Sequence, residues 1–154
     1  MFPATTKRVM QNTRPEINQR IAKQTEARLA KLPPTTPVNV INVRLKQLDR
    51  EWDIERVLET TAAALAFVGI LLALARSWYW LLLPLAVTGL LFLHALQGWC
   101  PPVPLLRRLG VRTETEINEE RVALKVLRKD FEDLPKADVD GQTQALEILT
   151  AVRK

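Results

Sequence analysis

The sequence predicts an all-α fold: a two-span transmembrane helical hairpin with amphipathic cytoplasmic helices before and after it. Three observations carry that expectation. Residues 57–100 contain only two formal charges, Glu59 and Arg76, although the 154-residue chain holds 22 Lys and Arg and 17 Asp and Glu. Arg76-Ser77 divides this block into two apolar runs, each near the roughly 20 residues that cross a hydrocarbon core of about 30 Å. Finally, all four tryptophans and the only tyrosine sit at the ends of these runs, Trp78, Tyr79 and Trp80 at the turn and Trp52 and Trp99 at the other end. Aromatic belts at two interfaces have that distribution. A soluble all-α core is the competing reading, and it would need the arms to wrap two helices that are apolar nearly all round.

Composition excludes several functions. Five glycines are too few for Gly-rich phosphate loops, one cysteine rules out a disulfide framework, and one histidine rules out a multi-His metal site. A net charge of +5 invites a nucleic-acid reading. The basic residues are interleaved with acidic ones, however, so no basic face emerges and no nucleic-acid partner is expected.

The elements follow in order. Residues 1–36 form a basic N-terminal arm with a helix over 14–32, opened by Pro15 and carrying Ile17, Ile21, Leu29 and Leu32. This helix is either solvated or rests on anionic lipid. Pro33, Pro34 and Pro37 form a linker. Residues 37–56 read as a juxtamembrane amphipathic helix, capped by Thr36 and continuous with the first span, with Ile41, Leu45, Leu48 and Trp52 on one face. Within it, Asp53 and Arg56 can pair, while Asp49/Asp53 and Glu51/Glu55 repel. That repulsion calls for cations from elsewhere, such as Arg107, Arg108 or Arg112.

The hairpin occupies 57–100, with spans 57–75 and 77–100, Ser77 capping the second and Pro84 within its first turns. Residues 101–112 form a Pro-rich interfacial segment ending near Gly110. Residues 113–154 form a C-terminal helical arm opened by the capping box Thr113-x-x-Glu116. Its first helix is expected to reach about Leu134, with Glu120 in a core position between Ile117 and Leu124. A last helix near 141–152 presents Ala145, Leu146, Leu149 and Val152. Asp138-Val139-Asp140-Gly141 lacks the remaining ligands of a calcium loop and reads as a capped turn.

Lys and Arg near the membrane ends set orientation. Arg44, Lys46, Arg50, Arg56, Arg107, Arg108 and Arg112 oppose Arg76 alone, so both termini are expected in the cytoplasm. Met1–Met10 has no apolar signal region. Small residues let membrane helices approach closely, and Ala62, Ala66, Gly69 and Ala73, with Gly89 on the second span, are the expected packing positions; a second face would make a homodimer or larger complex. Glu59, His94 and Gln97 are the intramembrane polar residues. Glu59 either pairs in an internal cavity or sits at headgroup level. His94 is expected to bond to Gln97 or Thr60. Cys100 is the candidate functional thiol, read as structural, as a persulfide or redox group, or as a haem or metal ligand with His94.

The residues Thr88-Gly89, then Gly98-Trp99-Cys100-Pro101, then Leu109-Gly110 and Arg112-Thr113, resemble the YgaP-like inner-membrane transmembrane domain family, a domain of unknown function made of two-helix hairpins. The likeness covers about residues 50–113. The blocks 48–56 and 94–102 resemble a longer subgroup with cytoplasmic helical arms. The Cys100–Gly110 stretch is longer and richer in proline than in the simple hairpins, and no rhodanese domain precedes the hairpin, so sulfur transfer by such a domain does not carry over. The resemblance implies a bacterial inner membrane. The expected function is a non-enzymatic anchor, scaffold or accessory subunit with no catalytic residue, cofactor or metal, its partners being the lipid bilayer and a cytoplasmic protein. The alternative is sulfur-species handling or thiol redox sensing at Cys100.

Overall fold

A computed structural model describes residues 4–132 and 141–153. Among them every regular element is helical: α1 (Arg8–Gln11), α2 (Pro15–Leu29), α3 (Val38–Leu48), α4 (Ile54–Ala75), α5 (Leu82–Gln97), α6 (Pro102–Leu109), α7 (Glu114–Leu127) and α8 (Gly141–Arg153). A single 3-10 turn, Trp78–Leu81, precedes α5. The chain divides into two compact units, residues 1–25 with 51–117 and residues 26–50 with 118–154.

The first unit contains the hairpin. Helix α4 has 22 residues, about 33 Å at about 1.5 Å per residue. The 3-10 turn and α5 together supply 20 more. Both helices are long and apolar enough to cross a membrane, and only 11% and 6% of their most apolar windows are buried. Of the five predicted packing positions, Gly69 is buried and Ala62, Ala66 and Ala73 are half-buried, while Gly89 is exposed. A Cβ on Gly69 would fall 2.6 Å from Pro84 Cδ, so the spans touch there with no room for a side chain. Gly89 has nothing within 4 Å of its would-be Cβ and takes no part in closing the hairpin.

The hairpin differs from expectation at both ends. Ser77 makes no side-chain cap, while Pro84 stands in the first turn of α5 as expected, where its missing N–H has no helical partner to lose. The second span stops at Gln97, not Cys100, because Gly98 takes a left-handed conformation with φ 73°. Residues 37–56 are not one helix continuous with the first span: α3 ends at Leu48 and α4 starts at Ile54. Asp53 has become the N-cap of α4, accepting from the Arg56 backbone N–H at 2.9 Å. Arg56 therefore does not pair with Asp53; its guanidinium stacks 4.6 Å from the centre of the Trp52 ring. Nor does Thr36 cap α3, its hydroxyl donating instead to the Pro33 carbonyl.

In the second unit Ile41, Leu45 and Leu48 of α3 are buried as their spacing requires. Glu120 fills its core position, 1% exposed, and accepts from Arg44 Nε at 2.7 Å. Arg121 reaches Asp49 at 2.8 Å. Helix α7 ends at Leu127, earlier than the expected Leu134. Lys129 turns left-handed at φ 68°, and Arg128 forks onto both carboxylate oxygens of Asp130, fixing the turn. Helix α8 forms where predicted; Ala145, Leu146, Leu149 and Val152 are exposed, and Ala151 is buried. The 138–140 stretch of the calcium-loop echo lies outside the described residues.

Candidate functional site

The chemistry-bearing side chains of the first unit gather where α4 begins and α5 ends. Gly98 makes the gathering possible. A left-handed C-cap tolerates glycine best, and its amide closes on the His94 carbonyl at 2.7 Å. The absent side chain also leaves space for the N-terminal segment, since a Cβ there would sit 2.6 Å from the Arg8 carbonyl carbon. Asn12 Nδ2 ties that segment down, donating to the carbonyls of Arg8 at 2.8 Å and Gln97 at 2.7 Å.

Arg8 then reaches the first span. Its Nη2 donates to Glu55 Oε1 at 3.0 Å, and the other Glu55 oxygen lies 2.8 Å from His94 Nε2. One carboxylate thus joins the N-terminal segment, the start of α4 and the end of α5. His94 is 2% exposed, and its Nδ1 has no hydrogen-bond partner among the described residues. The imidazole is thus bonded across the hairpin as expected, to Glu55 rather than to Gln97 or Thr60, and the carboxylate with partners at this end of the hairpin is Glu55. Glu59 is exposed on the outer surface, and the Gln97 side chain is exposed too.

A second set of ion pairs fixes the chain as it leaves the hairpin. Arg107 of α6 is fully buried: it donates to both oxygens of Glu116 at 2.6 and 2.7 Å, to Asn18 at 2.8 Å and to the Val111 carbonyl at 3.0 Å. Glu116 completes the predicted capping box, accepting from the Thr113 amide at 2.8 Å while Thr113 Oγ1 accepts from the Glu116 amide at 3.3 Å. Arg112 forks onto Glu51 at 2.7 and 2.6 Å, which meets the call for an outside cation on the acidic 49–56 stretch. The Ile54 amide, first of α4, donates to the Arg112 carbonyl at 2.9 Å. In its first half helix α2 packs on the rest of the unit: Ile21 is buried, Asn18 meets Arg107, and Arg20 donates to the Arg108 carbonyl at 2.7 Å.

Cys100 is a buried free thiol packed among Val9, Ile54, Leu58 and Val103. Burial pushes it up from its ordinary pKa. Neither nearby cation assists its ionisation: Arg107 is committed to Glu116, and Arg108 is exposed. A cavity of about 420 Å³ lies beside the thiol, between α4, α5 and α6. Among the described residues no three His, Cys, Asp or Glu side chains converge as a metal set.

The aromatic residues stay apart from this cluster. Trp52, Trp78, Tyr79, Trp80 and Trp99 are all exposed, and Trp78 and Tyr79 stack at the hairpin turn with ring centres 4.4 Å apart. Of the Gly98-Trp99-Cys100-Pro101 motif, Gly98 is the close-approach point, Trp99 faces outward, Cys100 packs inward and Pro101 leads into α6. Sequence reasoning placed Arg112 among the cations for this acidic stretch but missed Arg8 and its pairing with Glu55. The only signal was the crowding of carboxylates at 49–55, which pointed to Arg107, Arg108 or Arg112 and not to Arg8. No family model, curated protein or solved structure matches the chain.

Proposed function

We propose that the chain is a small integral protein of a bacterial inner membrane, threaded twice with both termini cytoplasmic, that serves as an anchor, scaffold or accessory subunit. The observation that carries this reading is the exposure of α4 and α5. Helices this apolar, with 11% and 6% of their windows buried, are stable only where the surroundings are themselves apolar. A core helix of a soluble protein would be mostly covered. The exposed tryptophans and Tyr79 at both ends fit interfacial anchoring. The likeness to YgaP-like hairpins agrees with the same reading, and Gly98 gives its motif a physical role.

The cluster at the base of the hairpin acts as a clamp in this proposal. Its cations and carboxylates neutralise one another and hold the N-terminal segment and α6 against the hairpin. In the second unit, α8 leaves Leu146, Leu149 and Val152 exposed for a cytoplasmic partner or a second copy. Alkaline carbonate extraction tests the membrane assignment: the protein stays in the pellet, and recovery as a monodisperse species in detergent-free buffer refutes it. Reporter fusions at residues 77 and 154 test orientation, with activity of a cytoplasmic reporter expected only at 154.

The alternative at Cys100 draws on the cavity that reaches the thiol. It works against burial, which keeps the sulfur protonated. Wild-type tolerance of sulfide and oxidants in a Cys100→Ser strain removes it.

A further inference from the structure

We infer that the cavity between α4, α5 and α6 seats one acyl chain of an anionic phospholipid, with Arg20 and Arg108 holding the headgroup phosphate. The inference rests on the membrane reading above and adds a specific ligand to it. The cavity encloses about 420 Å³, within the range of roughly 300–1,000 Å³ typical of ligand pockets. Its walls are aliphatic, with Leu58, Leu65, Leu90, Leu91, Leu105 and Leu106 the bulk of them. Its one hydroxyl, on Thr61, already donates to the Val57 carbonyl at 2.7 Å. Apart from the Cys100 thiol, a polar guest finds nothing to bond, and cavities of this kind stay dry and take apolar guests. In a bilayer the apolar guest at highest concentration is a lipid chain, and the cavity opens beside helix surfaces that face lipid.

Helix α6 supplies the second observation. Pro102, Leu105 and Leu106 line the cavity, while Arg108 stands exposed one turn beyond Leu105. Arg20 donates to the Arg108 carbonyl at 2.7 Å, bringing a second guanidinium to the same end of α6. Neither cation forms an ion pair with a carboxylate among the described residues, unlike Arg107 and Arg112 beside them. Two uncompensated guanidinium groups next to an apolar slot complement a phosphate joined to a hydrocarbon chain.

The test uses the full chain in nanodiscs doped with phosphatidylglycerol that carries a mid-chain diazirine. After irradiation, label is expected on Leu58, Leu90 and Leu105 in excess of the outer-face residues Phe92 and Leu74. Thr61→Phe, which fills the cavity, removes the cavity label and spares Phe92; Ala62→Leu is a smaller filling that does the same in part. In native mass spectrometry, Arg20→Gln and Arg108→Gln each lower retention of phosphatidylglycerol by about fivefold, the effect of roughly one cation at a lipid surface. Equal labelling of the cavity and the outer face in the unaltered protein overturns the chain site. Equal retention of phosphatidylglycerol and phosphatidylcholine overturns the headgroup site. A failure of the membrane reading looks different: Phe92 and Leu74 are then unlabelled as well.

Discussion

Gly98→Ala separates two costs that the structure assigns to one residue. Gly98 and Gly110 both take left-handed conformations, with φ 73° and 89°. An alanine in that region costs about 1–2 kcal/mol at either site. Only Gly98 has a neighbour: its new Cβ would meet the Arg8 backbone at 2.6 Å, whereas nothing lies within 4 Å of the same atom at Gly110. Backbone cannot swing aside as a side-chain tip does, so the segment around α1 must lift away. Lifting it exposes Val9 and breaks the Arg8–Glu55 contact, each about 1.5 kcal/mol at the low end, so the added cost saturates near about 3 kcal/mol. Beyond that limit the segment undocks rather than strains. Hydrogen exchange in detergent micelles is the assay. Gly98→Ala is expected to lower protection of amides 9–13 by about a hundredfold. Gly110→Ala should leave those amides unchanged while lowering overall stability slightly. Indistinguishable exchange at 9–13 in the two variants refutes the close-approach argument.

Three further outcomes follow from other contacts. Arg107→Ala leaves Glu116 buried and is expected to cost about 3–5 kcal/mol in a denaturant titration. The double change Arg107→Leu with Glu116→Leu should recover most of that, and additive losses count against a coupled pair. Gly69→Leu overfills the contact with Pro84 and is expected to cost about 1–3 kcal/mol, read as a lower melting temperature in micelles, with Gly89→Leu near neutral. Cys100 titrates late, so as pH rises past the ordinary thiol value the unfolded chain loses its proton first. Stability therefore falls from there until the buried thiol ionises, and this slope disappears in Cys100→Ser. A pH profile of stability identical in the two proteins excludes it.

The hairpin was readable because its signal is local. A run without charge, bounded by aromatics, needs no knowledge of the rest of the chain. The same holds for the Thr113–Glu116 box, whose partners are three residues apart, and for the turn at Gly110, whereas the stop at Gly98 was placed too late, at Cys100. What could not be read depends on partners far away in sequence. The apolar period of α3 runs on to Trp52, so a continuous helix was the natural expectation. The break comes from Arg112, which holds Glu51 and supplies a carbonyl to Ile54 from 61 and 58 residues downstream respectively. Arg107 looks like a surface cation beside Arg108, and only Asn18 and Glu116 reveal that it is interior. Carboxylate crowding at 49–55 announced a need for cations. Arg8 could not be chosen from the other candidates, because its selection rests on the space left at Gly98.

The hydrogen bond from Ile54 to the Arg112 carbonyl also orders events in time. A ribosome releases Ile54 long before Arg112 exists, so the opening turn of α4 stays unfinished while α5 is still being translated. Only when the returning strand emerges can that amide be satisfied and Glu51 find its guanidinium. Both rods therefore lock together late, as a pair, and a nascent chain truncated before residue 112 would keep the start of α4 frayed.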